Sequence, residues 1–398
     1  MKKLAFVIPW YGETISGGAE AELRDLVHHL AAEGVELEVL TTCVYSFSSP
    51  WNENYYSAGL TCESGIPVRR FKVRKPDLEK FNRINRKCMA GEKISFEEEE
   101  IFLNEMVNSP KLYQYIRRHQ KEYSLFIFIP YMFGPTYFGV QQCPEKSVLI
   151  PCFHDESYFY FRHFQTAYEK VAGMIFNALP EKLLAEQAMD LSAVHKTVMG
   201  IGLDTDLSGN AERFRRQHGI REPFLLYAGR KDAGKNVDVL LRYFSCFKRQ
   251  LRSDLKLVLI GGGNISIPGE VADDVIDLGF LPAQDKYDAC AAAELLCQPS
   301  PHESFSLVIM ESWLCGRPVL VSGECPVTKN FVQEANGGLY FSSYGEFACC
   351  VNYLLNHKET AAAMGANGRE YVRQNFAWSV IMDRYRTFFK ELTENAES

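Results

Sequence analysis

Apolar positions follow two rhythms along this chain. Leu4 to Pro9 is an apolar run of strand length, and after a glycine-bearing loop Leu23, Leu26, Val27 and Leu30 recur at helical spacing within Ala19 to Gly34. Gly34 stops that helix and Val35 to Thr41 reads as the next strand. Such a β-α-β unit implies parallel strands joined by a right-handed crossover. The pattern restarts at Phe224 to Ala228, runs through a helix at Asn236 to Arg252, returns in Lys256 to Ile260 and halts at Gly261, Gly262 and Gly263. Short strands at Val275 to Leu278, Glu294 to Cys297, Pro318 to Val321 and Gly338 to Phe341 then alternate with helical runs at Gln284 to Ala293, Ser306 to Cys315 and Gly345 to Leu355. Both halves are expected to be α/β and doubly wound.

A chain of 398 residues, 46% hydrophobic, exceeds what one core usually organises, so two domains are expected. The glycine-punctuated segment Met199 to Asp204 is the expected hinge, which gives a first domain at 1–200 and a second at 201–375. Trp378, Ile381, Met382, Tyr385 and Phe388 mark a last helix within 376–398, whose aromatic side is expected to cover the first domain.

Forty-three Lys and Arg against 50 Asp and Glu leave a net charge of −7, which disfavours a nucleic-acid partner. The longest apolar stretch, Leu125 to Val140, is interrupted by Pro130, Gly134, Pro135 and Gly139 and falls short of the roughly 18 residues a membrane span needs. The 12 cysteines show no CxxC pair and no zinc spacing, so buried free thiols in a reducing cytosol are expected. A basic segment from Arg69 to Lys87 is answered by Glu92 and by Glu97 to Glu100. It reads as an internally balanced charged surface, with contact to a phospholipid surface or to an acceptor's diphosphate as the other reading.

Two carboxylates, Glu303 and Glu311, stand with seven residues between them, the first in a loop and the second inside a helix. Eight residues of helix rise roughly 12 Å, on the order of the distance from sugar to ribose across a diphosphate. The amides of Ser304, Phe305 and Ser306 are expected to open the helix and to turn its positive end toward such a diphosphate. The loop after Ala228 adds Arg230 and Lys235 at the strand-to-helix turn where open α/β sheets bind ligands. Two cations there would stabilise the charge that develops as a diphosphate leaves.

With these residues in place, the chain resembles a family 4 retaining glycosyltransferase of the GT-B fold over nearly its whole length. The likeness rests on Ser16-Gly17-Gly18-Ala19-Glu20, on His154-Asp155, on the block with Arg230 and Lys235, and on the Glu303 and Glu311 pair. It implies two Rossmann-like domains facing each other across a cleft, with a C-terminal helix crossing back to the first. It implies that Gly17 and Gly18 approach the donor phosphates, that His154 hydrogen-bonds the donor sugar with its carbonyl near the reacting carbon, that Glu303 holds the transferred sugar, and that Glu311 takes the ribose. Gly279, Phe280 and Leu281 resemble the segment whose backbone reads the nucleobase. Ser304 and Ser306 depart from the family, which often has glycines there.

The implied activity is transfer of a hexose from a nucleotide diphosphate sugar to a glycan or lipid-linked acceptor, in bacterial surface polysaccharide synthesis by family habit. The acceptor would attack from the face the diphosphate leaves, without an enzymic nucleophile. The aromatic run Phe153 to Phe164 is expected to form a sugar-stacking or lipid-facing surface. Asp204-Thr205-Asp206 is not taken as a metal clamp, because it sits at the hinge and Arg230 with Lys235 supplies the charge. No metal and no cofactor are expected beyond the donor itself, and Gly261-Gly262-Gly263 does not fit a nicotinamide fingerprint. A cytoplasmic protein follows, with peripheral contact at the inner face of the membrane left open. The rival readings are a GT-B sugar-nucleotide epimerase or phosphorylase, and a non-catalytic nucleotide-sugar-binding subunit.

Overall fold

The apolar run after Lys2 forms β1 (Lys3–Val7) inside an eight-stranded sheet. In this computed structural model, which describes residues 2–15 and 17–395, the same sheet takes β2 (Leu37–Thr42), β3 (Gly59–Glu63), β4 (Ile66–Phe71), β5 (Tyr123–Phe128), β6 (Ser147–Leu149), β7 (Gly173–Phe176) and β8 (His195–Val198). Their spatial order is β3-β4-β2-β1-β5-β6-β7-β8. Neighbours run parallel, with Leu4 beside Leu37 and Phe6 beside Ile127. The exception is β3, which lies antiparallel to β4 through Ser64 and Gly65 at φ 45° and 85°, the positive values a two-residue hairpin turn needs. Strand order reverses at β1, between β2 and β5, so the loops leaving β1 and β5 flank the crevice where such sheets take ligands.

The helix Gly18–Ala32 buries Leu23, Leu26, Val27 and Leu30, the positions its periodicity marks. The last helix, Trp378–Asn395, belongs to this same unit, which comprises residues 1–202 and 378–398. Phe388 and Leu392 close over Gly173, where an added Cβ would come within 2.9 and 3.0 Å of them. Trp378 stacks on His29 with ring centroids 3.7 Å apart. Ile381, Tyr385 and Phe388 are buried, each contributing about 2 kcal/mol of apolar burial.

Residues 203–377 form the second unit, so the division falls inside the Met199 to Asp204 segment. Its sheet comprises β9 (Phe224–Ala228), β10 (Lys256–Ile260), β11 (Val275–Asp277), β12 (Leu295–Gln298), β13 (Val319–Ser322) and β14 (Gly338–Phe341). The order is β11-β10-β9-β12-β13-β14 with parallel neighbours, reversing at β9. The helix Lys358–Phe376, which periodicity did not single out, packs on the short helix Leu307–Leu314. Gly368 leaves room for the indole of Trp313, whose Nε1 donates to the Gly337 carbonyl at 2.7 Å. That buried anchor fixes the helix that carries Glu311.

Two expectations are corrected here. Although Tyr160 is 49% exposed, Phe153, Phe159, Phe161 and Phe164 are at most 3% exposed and pack with Tyr131, Phe102 and Tyr168, so the phenylalanines of the aromatic run are core rather than a stacking surface. Aromatic density does not reveal burial, and here these rings fill the layer over β5 and β6. The thiols are free, but Cys62 and Cys349 are exposed rather than buried. Part of the basic segment is paired within its own unit, Arg69 with Glu38 at 2.6 Å, Arg74 with Glu105 at 2.9 Å and Lys87 with Glu98 at 2.6 Å. Among the described residues no helix is long and apolar enough to cross a membrane.

Candidate functional site

In the second unit the loop leaving β9, the centre of the sheet, carries Arg230 and Lys235. Gly229, whose amide donates to Ile260 at 2.9 Å, lets the loop approach Gly261 so closely that a Cβ on Gly261 would strike the Gly229 backbone. The Lys231 amide donates to the Gly262 carbonyl at 2.8 Å, and its buried ammonium pairs with Asp277 at 2.5 Å. The triple glycine is therefore a packing surface for the cation-bearing loop. Tyr227 donates its hydroxyl to the Arg230 carbonyl at 2.5 Å from beneath.

Lys235 reaches the next loop. Its Nζ lies 2.7 Å from Glu303 Oε1, an ion pair with the side chains 24% and 12% exposed. Gln298, the last residue of β12, approaches both Glu303 Oε1 and Ser306 Oγ at 3.4 Å from Nε2. Arg230 is mostly exposed and stands 3.4 Å from Asp232, whose Oδ1 also accepts the Lys235 amide at 3.1 Å. The two cations thus flank one acidic loop, and Lys235 is the one that touches a predicted site carboxylate.

The helix bearing Glu311 begins at Leu307, not at Ser304. Ser304 and Phe305 belong to the preceding loop, so the amides that open the helix are those of Leu307 and Val308. The Phe305 ring is buried against Phe331 and Phe376, with centroids 5.2 and 4.9 Å away, and anchors the loop from inside. Ser306 takes φ 79°, a left-handed conformation that suits glycine and strains a residue with a Cβ. The departure from family glycine at this position therefore keeps the glycine geometry. With only Leu307 to Glu311 helical, the full eight-residue helical rise does not separate the two carboxylates.

Glu311 is 7% exposed, and its Oε1 accepts from Lys286 Nζ at 2.5 Å. Its Oε2 is buried and has no hydrogen-bond partner. Burial pushes this carboxyl up from its ordinary range, and Lys286 works against that rise. An unmatched buried carboxylate oxygen costs free energy until a donor reaches it. Gly279, at φ 65°, spends its amide on Asp277 at 3.0 Å and its carbonyl on Gly261 at 2.8 Å. Of the base-reading segment, Phe280 is 74% exposed and Leu281 half-buried. Asp204 Oδ1 accepts the Asp206 amide at 3.1 Å in a local turn.

In the first unit Gly17 and Gly18 open the helix Gly18–Ala32 just after β1, with open space where a Cβ on Gly18 would go. Ser16 lies outside the described residues. Glu20, in the first turn, accepts from Trp10 Nε1. His154 follows β6 on a turn whose Cys152 has φ 55°. The His154 ring sits 3.5 Å from Glu156, and its carbonyl accepts the Glu156 amide at 2.9 Å.

Sequence reading missed three groups. Lys286 carries no local signal, because it meets Glu311 from the neighbouring helix Ala283–Ala292, whereas Gln298 stands five residues before Glu303 on the strand that leads into its loop. The loop after β2 exposes Tyr45, Phe47 and Tyr55, with the Tyr45 and Tyr55 rings 4.9 Å apart and Phe47 edge-on to Trp10 at 5.9 Å. Its density of aromatics between Tyr45 and Tyr56 was the available signal.

Residues 210–371 match the family model described as glycosyl transferases group 1. A D-inositol 3-phosphate glycosyltransferase of Saccharomonospora viridis is 28% identical over 220 residues, 50% of each chain. The chain thus spans about half the length of this curated relative. Sucrose-phosphate synthase from Thermosynechococcus elongatus superposes with TM-score 0.72 at 18% identity over 100% of both chains. Anabaena HepE in complex with UDP-glucose superposes with TM-score 0.66 at 16% identity, again over 100% of both. The fold of the two units is that of the GT-B glycosyltransferases.

Proposed function

We propose, from the match of residues 210–371 to the family model described as glycosyl transferases group 1, that the protein moves a hexose from a nucleotide diphosphate sugar to a hydroxyl of a glycan or lipid-linked acceptor, with retention at the anomeric carbon. The observation that carries the reading is in the second unit. One ion pair joins Lys235 to Glu303, while Glu311 keeps a buried oxygen without a donor. A ribose hydroxyl is a donor of the size and polarity that Glu311 Oε2 lacks. Glu303 would hold hydroxyls of the transferred sugar. Lys235 and Arg230, with the amides of Leu307 and Val308, would take the diphosphate as its charge grows.

In the first unit we assign Gly17 and Gly18 to the donor phosphates and His154 to the donor sugar. Phe280 and Leu281 are assigned to the base. The aromatic rings of Tyr45, Phe47 and Tyr55 are assigned to the acceptor, since half-exposed rings stack on the apolar faces of sugars. No side chain is assigned as a nucleophile: Glu303 is engaged by Lys235, and the departing diphosphate would take the acceptor's proton. Relatives that act on an inositol phosphate and bind UDP-glucose support a nucleotide-sugar donor. A role in bacterial surface polysaccharide synthesis is part of the proposal.

The test is a thermal-shift screen with UDP-glucose, GDP-mannose and ADP-glucose, followed by assay of nucleoside diphosphate release with and without oligosaccharide acceptors. A selective rise in melting temperature and acceptor-dependent release are expected. Stoichiometric product from donor alone, or no turnover with any donor, would overturn it.

A further inference from the structure

Glu181 is an acidic side chain in the first unit with no solvent to support it, being 1% exposed. It is the third residue of the helix Leu179–Ala188, which has Ala178 at its N-cap and Pro180 in its first turn. A glutamate at that position commonly reaches back to the start of its own helix. Part of the arrangement is therefore local: Oε2 accepts the Asn177 amide at 2.7 Å. The other part is not. Oε1 accepts the Phe153 amide at 2.7 Å across 28 residues of chain.

Cys152 and Phe153 lead directly into His154. Cys152 is held at φ 55°, a conformation a side chain with a Cβ adopts only when its surroundings impose it. One carboxyl thus takes the Phe153 amide after β6 and the Asn177 amide after β7, and ties the C-terminal ends of the two strands together. Resting on the assignment of His154 to the donor sugar, we propose that Glu181 is a positioning residue for transfer, fixing the turn Cys152–Phe153 so that His154 is presented in one orientation.

The surroundings support a dedicated role. Burial pushes the Glu181 carboxyl up to about 8 even though it accepts backbone amides, and a second buried acid, Glu22, stands beside it. A helix start could be capped by Ser, Thr, Asp or Asn at Ala178 without burying a carboxyl. The residue present is the one long enough to reach the neighbouring strand's turn. Replacing one oxygen by an amide, as in Glu181→Gln, sets a donor against an N–H group and breaks one of the two anchors.

The experiment is a double-mutant cycle between Glu181→Gln and His154→Ala, read as donor turnover with UDP-glucose, GDP-mannose and ADP-glucose. Glu181→Gln is expected to lower kcat about 10- to 100-fold with a small change in donor KM, as misplacement of a reacting group does. In the His154→Ala background the same change is expected to cost almost nothing further. Hydrogen–deuterium exchange should show faster uptake confined to residues 150–156 and 176–179. Glu181→Asp, which keeps both acceptor oxygens one methylene short, should restore part of kcat, and it replaces Glu181→Gln if that variant does not fold. Losses that multiply in the double mutant would overturn the inference while leaving His154 in its role. Full activity of His154→Ala would remove the role itself, and the inference with it.

Discussion

Lys235 Nζ and Glu303 Oε1, 68 residues apart in sequence, lie 2.7 Å from each other in a half-buried ion pair. The pair fuses the two most informative blocks of the second unit into one site. A lysine placed there does two things: it holds the carboxylate in one rotamer and leaves remaining N–H donors for a phosphate. Lys235→Ala and Glu303→Ala are each expected to reduce kcat about 100-fold, the scale of losing one preorganised electrostatic contact. Because the two act together, the double variant should fall little below either single one. Transfer at the native rate by folded Glu303→Ala would sink the site assignment.

Glu311 and Lys286 predict a pH dependence. Burial raises the Glu311 carboxyl, and Lys286 pulls it back down. A ribose hydroxyl donates best to the ionised form, so donor KM should rise as pH falls through the Glu311 value. In Lys286→Met the opposing cation is gone, and the rise should begin at higher pH. Superimposable profiles of KM against pH for the two proteins would refute the link.

Glu22 predicts a pH dependence of stability. Burial and the neighbouring Glu181 hold its carboxyl up at about 8, while the unfolded chain keeps the ordinary 4.5. The folded state therefore binds an extra proton between those values, and stability is fully present below about 4.5 and declines as pH rises through the folded value. Glu22→Gln removes this decline. Its stability relative to the parent should improve by up to about 1.4 kcal/mol per pH unit across that window, measured by urea unfolding from pH 5 to 8. A constant difference across the window would contradict the buried, protonated Glu22.

Ser306 gives a backbone test. With φ at 79° it occupies glycine's region, at a cost of about 1 kcal/mol. Ser306→Gly should raise the melting temperature by a few degrees or leave it unchanged, and Ser306→Val should lower it clearly. Donor binding by Ser306→Gly should persist.

Tyr45 and Tyr55 separate acceptor from donor. Each variant to alanine should raise acceptor KM roughly 3- to 10-fold, the worth of one stacking ring, with donor hydrolysis in the absence of acceptor unaltered. A matching loss of donor hydrolysis would show that the rings serve the first unit's fold instead.

Local pattern was enough for much of this molecule. The strands Phe224–Ala228 and Lys256–Ile260 begin and end where their sequence runs do, since a strand buried on both faces needs an unbroken apolar run. The first helix buries the residues its period marks, and Glu303 and Glu311 stand in a loop and a helix as their neighbours predict. What chain order could not decide is which distant groups meet. Lys286 reaches Glu311 because the helices Ala283–Ala292 and Leu307–Leu314 pack together, and Glu181 reaches Phe153 because parallel strands bring their C-terminal ends to one edge. Burial was likewise a tertiary property: the phenylalanines from Phe153 to Phe164 went inward while Tyr45, Phe47 and Tyr55 stayed out, though both runs are rich in aromatics. Periodicity reports a segment's own preference, whereas charge pairing and exposure depend on what the rest of the chain lays against it.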